Sequence, residues 1–325
     1  MSLTVEKILQ DNKKRLNFKI LNTGGKLTNE VVSSKMNRPG LELTGFWDYF
    51  QKERIHIFGM KEQKYLETVT AERKKNVFTK LFSSGISCAV FAHGTKPEKE
   101  ILNLADLYGV PLLYTEVLTV DVIRIMTDYL GWELAPRKVV HGTLVDVYGV
   151  GLLITGRSGI GKSEIALDLV ERGHRLVSDD SVNIIRRADN VLIGTGRELL
   201  EHHLEIRGIG IINIANMFGV RGIRKQKRIE VQISLEDWDE NKHYERVGAI
   251  DNMENILGVD IPLVNLPIYP GKNITVIAET IALNHMLKIY GKNAAKEFER
   301  ILELKINEKR KQQKAVESYL KEDYE

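Results

Sequence analysis

The sequence predicts an α/β protein in two parts: a small N-terminal α/β domain over residues 1–131, then an α/β domain with a phosphate-binding loop (P-loop) and C-terminal helices over residues 132–325. Three observations lead there. The chain has 325 residues, more than the ~250–300 at which single cores stop growing. Short β-rich runs alternate with helical patterns through the first part, as in α/β domains. In the second part, the apolar run 152–155 meets a glycine loop and then a helix-forming segment.

The N-terminal part opens with a mostly polar, helix-like stretch at residues 8–16, and the turn-rich residues 37–45 read as a loop with Arg38 in a structural role. Residues 54–59 and 86–92 are short strands, each followed by a helical pattern, at 61–68 and 97–108, and residues 110–114 read as another strand. Cys88, the single cysteine, falls in the 86–92 strand, so it packs as a small apolar group and no intrachain disulfide forms. A helix from about Thr119 ends at Gly131, and the broken periodicity at 132–137 sets the domain boundary.

Residues 141–155 then read as two strands joined at Tyr148 and Gly149, which places His141 at the start of a strand whose hairpin partner feeds the glycine loop. That loop, Gly156, Arg157, Ser158, Gly159, Ile160, Gly161, Lys162, Ser163, fits the pattern GxxxxGK[ST] between a strand and a helix. Glycines let successive N–H groups converge on phosphate oxygens, Lys162 reaches the β- and γ-phosphates, and Ser163 offers a hydroxyl to Mg2+. The following helix, over about 162–171, adds its N-terminal partial charge and stops at Gly173.

Next comes a short apolar strand that ends in Asp179 and Asp180, where phosphoryl transfer needs a metal ligand or a base. Successive strand residues face opposite sides, so one of the two faces the phosphates. Residues 198–214 set carboxylates, His202, His203 and Arg207 against an apolar strand, and Glu205 is the better candidate for completing a magnesium site, because no HExxH spacing for zinc is present. Arg221, Arg224, Lys225, Lys227 and Arg228 form a basic edge, either solvated or facing an acidic or phosphorylated partner. Asn273 caps a helix with a core stripe through Ile274, Ile277, Ala278 and Ile281, and a last helix begins after Asn293, solvated or frayed beyond Lys305.

Composition narrows the function classes. A net charge of +3 provides no global field for nucleic acid or an anionic membrane, and no run approaches the ~20 apolar residues of a membrane span. The N-terminus has no apolar core of a signal peptide, so a cytoplasmic protein is expected.

The glycine loop, the Asp179–Asp180 pair and the block 201–213 together resemble the bacterial HPr kinase/phosphorylase family, and so do residues 38–43 and 141–149. The resemblance covers nearly the whole chain, and the 204–213 block is far more specific than the P-loop. It implies a P-loop protein-serine kinase, typically a homohexamer, that uses ATP and Mg2+ to phosphorylate a serine of the phosphocarrier HPr in the control of carbon metabolism. Many members also run a phosphorolysis in which inorganic phosphate attacks phosphoserine and pyrophosphate leaves.

Carried over residue by residue, the catalytic aspartate falls on Asp180, the P-loop lysine on Lys162, the magnesium ligands on Ser163 and Glu205, the active-site histidine on His141 and the arginine on Arg246. The N-terminal domain receives no role. Two departures stand out. Tyr269 replaces a cation in the loop 267–272 associated with phosphorolysis, where Lys272 keeps a charge without the guanidinium fork, so the reverse reaction is expected to be weak. Arg157 stands where acidic residues are common; it either tunes phosphate affinity or faces solvent. The alternatives are a nucleotide-dependent regulatory switch and a small-molecule kinase.

Overall fold

The computed structural model describes residues 2–187, 190–197, 202–241, 252–269 and 271–322. The chain divides into two units, Met1–Ala135 and Pro136–Glu325.

In the first unit the elements run α1 (Val5–Asp11), α2 (Lys13–Leu16), β1 (Lys19–Ile20), β2 (Met36–Asn37), α3 (Gly40–Thr44), β3 (Ile55–Phe58), α4 (Met60–Glu67), α5 (Ala71–Ser83), β4 (Ala89–Phe91), α6 (Lys99–Tyr108), β5 (Leu112–Tyr114) and α7 (Thr119–Glu133). The sheet order is β1-β5-β4-β3-β2, parallel from β2 through β5, with β1 antiparallel at the edge. Helices cover both faces, so β3, β4 and β5 are buried along their whole length and read as continuous apolar runs. Ile55, Ile57, Val90 and Leu113 pack with Val5, Ile8, Val122 and Met126 of α1 and α7. On the other face, Phe58, Phe91 and Leu112 meet Phe78, Leu81 and Phe82 of α5 and Ile101 of α6.

Three sequence expectations change here. The 37–45 stretch is not only a loop, because Gly40–Thr44 winds into α3; Arg38 is structural, with Nε and Nη2 donating to Glu62 Oε1 and Oε2 at 3.0 and 2.8 Å. Helix α7 runs past Gly131 to Glu133, because buried Leu130 still anchors its last turn. Helix α5 was not anticipated. Cys88 is fully buried, and burial pushes its thiol up to about 12, out of reach of redox chemistry.

The second unit contains β6 (Arg137–His141), β7 (Thr143–Val147), β8 (Val150–Thr155), α8 (Lys162–Glu171), β9 (Arg175–Ser178), β10 (Ser181–Arg187), β11 (Val191–Thr195), β12 (His203–Ile206), β13 (Gly210–Asn213), α9 (Ile214–Phe218), β14 (Gln226–Arg228), β15 (Val231–Asp237), β16 (Met253–Ile256), β17 (Val259–Ile268), α10 (Ile274–Ile289) and α11 (Ala294–Glu322). A six-stranded sheet, β16-β17-β15-β8-β7-β9, carries α8 and α10 on one face. Its other face packs Leu144, Leu153 and Val177 against Val182, Ile184 and Leu192 of a four-stranded antiparallel sheet, β14-β11-β10-β6. The hairpin β12–β13 buries Leu204 and Ile206 with Ile165, Ala166 and Leu169 of α8. Among the described residues, no helix is long and apolar enough to cross a membrane.

Two further corrections follow. His141 does not start the strand paired with β8. It ends β6, opposite Ser181 of β10, and the chain changes sheet at Gly142, where a β-carbon would lie 2.7 Å from the Ile154 carbonyl oxygen. The basic edge is partly used inside the fold: Arg224 Nη1 donates to buried Asp146 Oδ2 at 2.7 Å, and Lys227 pairs with Glu230 at 3.1 Å.

Helix α10 is fastened to the end of α8 by Glu279. Arg172 Nε and Nη2 donate to its two oxygens at 2.9 and 2.7 Å, with His174 Nε2 at 3.0 Å and the Tyr148 hydroxyl at 3.3 Å. The Arg172 hydrogen bonds, helped by His174 and opposed by burial, hold the Glu279 carboxyl at about 2. A depressed carboxylate contributes stability that is present above its unfolded value of about 4.5 and is lost as pH falls toward 2. The stability gap between the parent and Glu279→Gln is therefore expected to be large at pH 7 and to shrink between pH 4.5 and 2. Denaturant melts at several pH values check it, and a gap that stays constant with pH would refute it.

Candidate active site

Strand direction gathers the site. β9 is antiparallel to β7, which is antiparallel to β8, and β15 is parallel to both β8 and β17. β8, β9, β15 and β17 therefore end at one edge of the sheet, where open α/β sheets bind ligands. The segments leaving that edge are the glycine loop after β8, Asp179 and Asp180 after β9, Trp238 after β15 and Tyr269 after β17.

The glycine loop is wound through positive-φ glycines. Gly156 and Gly161 have φ of 148° and 106°, and a β-carbon at Gly156 would stand 2.8 Å from the Leu235 carbonyl oxygen, so glycine is required where β8 turns out of the sheet. Gly161 caps α8, and Ile160 packs against the core beneath. Lys162, 7 % exposed, donates from Nζ to the carbonyl oxygens of Gly156 and Arg157 at 3.2 and 3.1 Å, so its ammonium spans the mouth of the loop. Ser158 is exposed on the rim.

The two aspartates separate cleanly. Asp179 is buried; its Oδ1 accepts from the Thr143 hydroxyl at 2.5 Å and its Oδ2 from the Ser163 hydroxyl at 2.7 Å. Asp180 adopts φ 61°, which swings its side chain out toward the end of β6, where Oδ1 lies 3.1 Å from Nδ1 of His141. Both of these side chains are at least half exposed, so the pair is open to an incoming substrate. One carboxylate thus belongs to the P-loop serine and its neighbour to the histidine.

Arg157 does not face solvent freely. Its Nε and Nη2 donate to Asp237 Oδ2 and Oδ1 at 2.6 and 2.8 Å, and this pairing holds the Asp237 carboxyl below the usual range. Tyr269 stands edge-on to Trp238, with ring centroids 5.4 Å apart. Lys272 Nζ lies 5.1 Å from the Tyr269 ring centroid and donates to the Pro267 carbonyl oxygen at 3.1 Å, and burial lowers its pKa. Glu205 is exposed on β12, paired in register with Ile211, on the hairpin that lies along α8. Arg246 lies outside the described residues.

The residues at this edge suit a magnesium–nucleotide ligand. A serine hydroxyl and a carboxylate oxygen 2.7 Å apart are hard donors, and Mg2+ is usually bound by one or two carboxylates together with phosphate oxygens.

The family models and the curated relatives agree on one family. Residues 132–302 match the model described as the HPr Serine kinase C-terminal domain, and residues 3–130 match the HPr Serine kinase N terminus. The chain belongs to the HPr serine kinase family. A relative from Leptospira biflexa, named HPr kinase/phosphorylase, is 45 % identical over 298 residues, 91 % of this chain and 92 % of that one. A relative of the same name from Chloroherpeton thalassium is 43 % identical over 330 residues, covering 100 % of this chain and 97 % of its own. Among solved structures, the Hpr(Ser) kinase/phosphatase from Coxiella burnetii is 34 % identical, covers 50 % of this chain and 98 % of its own, and has a TM-score of 0.45.

Within this HPr serine kinase fold, two site neighbours escaped the sequence reading. Thr143 had no signal of its own, being a polar residue at the start of a fully buried strand. Asp237 lies 80 positions from its partner Arg157, and only the parallel pairing of β8 and β15 brings them together.

Proposed function

We propose that this protein is an ATP- and Mg2+-dependent protein-serine kinase acting on HPr. The observation that supports it most is the separation of two adjacent carboxylates beside a glycine loop, Asp180 open beside His141 and Asp179 tied to Ser163.

The serine hydroxyl attacks the γ-phosphorus in line as the bond from γ-phosphorus to the β,γ-bridging oxygen breaks. ADP leaves, and Asp180 accepts the serine proton. His141 orients that carboxylate. Lys162 exchanges its two carbonyl partners for phosphate oxygens, a charge–charge contact in place of bonds to neutral acceptors. Ser163, Asp179 and Glu205 would hold Mg2+, which would neutralise phosphate charge, and Arg246 is assigned the same task. The assembly is taken to be a cytoplasmic homohexamer. In the reverse direction, inorganic phosphate attacks phosphoserine, Asp180 returns its proton to the leaving serine oxygen, and pyrophosphate is released.

Incubation with HPr, Mg2+ and γ-labelled ATP tests the reading. Label on an HPr serine with one ADP formed per serine is expected. Tight ATP binding with HPr unlabelled would overturn it in favour of a regulatory switch, and label passing to a metabolite would favour a small-molecule kinase.

At the loop end of β17, Tyr269 cannot balance phosphate charge, and Lys272 is engaged with Pro267. Phosphorolysis is therefore weak relative to kinase activity. Tyr269→Arg is expected to raise the ratio of pyrophosphate release to phosphorylation by about tenfold, the effect of roughly one charge-assisted contact. An unchanged ratio would show that the loop cation does not limit the reverse reaction.

A further inference from the structure

The turn joining β12 to β13 presents one side chain that the mechanism above leaves unused. Leu204 and Ile206 are buried against α8, so alternation along β12 sends Glu205 and then Arg207 to the open face. The guanidinium of Arg207 comes to rest on the glycine loop, in the space a side chain at Gly159 would need. A β-carbon built there would lie 2.6 Å from both Cζ and Nη1 of Arg207 and closer still to Nη2. Gly159 has φ 76°, so the loop backbone bends back beneath this group.

Among the described residues, no carboxylate neutralises Arg207. Arg38, Arg157, Arg172 and Arg224 each hold a carboxylate. Arg207 makes no hydrogen bond or ion pair with the described residues. Its planar fork of N–H donors, always charged, thus lies beside the loop whose sequence fits a phosphate-binding pattern. Two features, the glycine loop and a guanidinium with no partner among the described residues, meet at Gly159.

We propose that Arg207 is a catalytic cation supplied in cis, whose guanidinium binds the γ-phosphoryl oxygens and the β,γ-bridging oxygen during transfer. This rests on the reading that the glycine loop binds ATP. As the serine oxygen bonds to phosphorus and the bond to the bridging oxygen breaks, negative charge grows on that oxygen and on the phosphoryl group. The Arg207 N–H groups donate to it, while the serine proton goes to Asp180. The interaction strengthens as charge develops, so it favours the transition state over bound ATP. Gly159 leaves the guanidinium room.

The test compares the parent, Arg207→Ala and Arg207→Lys in binding of ADP alone and of ADP with aluminium fluoride, both with Mg2+, and in HPr phosphorylation. ADP affinity is expected within about threefold of the parent in both variants. Affinity for ADP–aluminium fluoride and kcat should fall by about 10²-fold in Arg207→Ala and by less in Arg207→Lys. Guanidinium chloride at millimolar concentration should recover part of kcat for the alanine variant alone. Parent-like aluminium fluoride binding in Arg207→Ala would overturn the proposal. So would an equal loss for ADP and ADP–aluminium fluoride, which marks a structural role. Failure of the parent to bind ADP would instead overturn the nucleotide reading itself. A parent that forms the aluminium fluoride complex without labelling HPr would overturn only the choice of acceptor, leaving Arg207 judged by the binding comparison.

Discussion

Asp180→Asn is expected to lower kcat for serine phosphorylation by about 10³-fold while leaving ATP affinity within a factor of about three. The substitution is close to a single-atom change in function. Asparagine tolerates the left-handed backbone that Asp180 occupies at φ 61°, so the turn between β9 and β10 should hold its shape. Its amide can still bond to His141, 3.1 Å away in the parent. What disappears is the carboxylate charge and, with it, the capacity to take a proton from the attacking serine. The same carboxyl group returns the proton in phosphorolysis, so the reverse rate should fall by a similar factor. Single-turnover phosphorylation beside equilibrium nucleotide binding measures both quantities. A kcat near the parent value with intact ATP binding would remove Asp180 from the role of base. Asp180→Ala is the poorer test, because alanine at positive φ strains the turn as well as deleting the base.

What the sequence could and could not disclose follows from where the contacts lie along the chain. The glycine loop was legible because its strand, turn and helix are contiguous, and its glycines are demanded locally, as at Gly156 against the Leu235 carbonyl. Strand alternation also made it clear that Asp179 and Asp180 could not share a role. Which of them meets Ser163 depended on the backbone beyond β9, where positive φ at Asp180 turns the second carboxylate toward β6, and no residue pattern encodes that choice. His141 was misplaced for a related reason: the change of sheet at Gly142 looks in sequence like the start of one continuous strand. Helix α5 was missed because Glu72, Arg73, Lys74 and Lys75 dilute the periodicity before the buried stripe Val77, Phe78, Leu81 and Phe82 begins. Arg157 with Asp237 shows the general limit, since two flexible exposed side chains reveal their pairing only through sheet order.

The strongest contrast within the site should come from Asp179→Asn. Asp179 sits one residue from the proposed base, yet it faces the opposite way, buried and accepting from Thr143 and Ser163. In the proposed mechanism its charge holds the metal side of the nucleotide. Asparagine can keep one of the two accepted hydrogen bonds, but it turns an NH2 toward the other hydroxyl and loses the negative charge. A fall in kcat of about 10²- to 10³-fold is expected at ordinary Mg2+, the range seen when one electrostatic contact to a transition state is removed. Unlike Asp180→Asn, this variant should need at least about tenfold more Mg2+ for half-maximal activity, and excess Mg2+ should recover part of its rate. Folding should suffer as well, by about 1–3 kcal/mol, because a buried acceptor pair is left half satisfied. Titrating Mg2+ against both variants separates the two carboxylates: a raised requirement in Asp179→Asn alone assigns the metal to the buried partner of Ser163. An equal shift in both would mean that the turn acts as one unit, and a shift in Asp180→Asn alone would exchange the two roles.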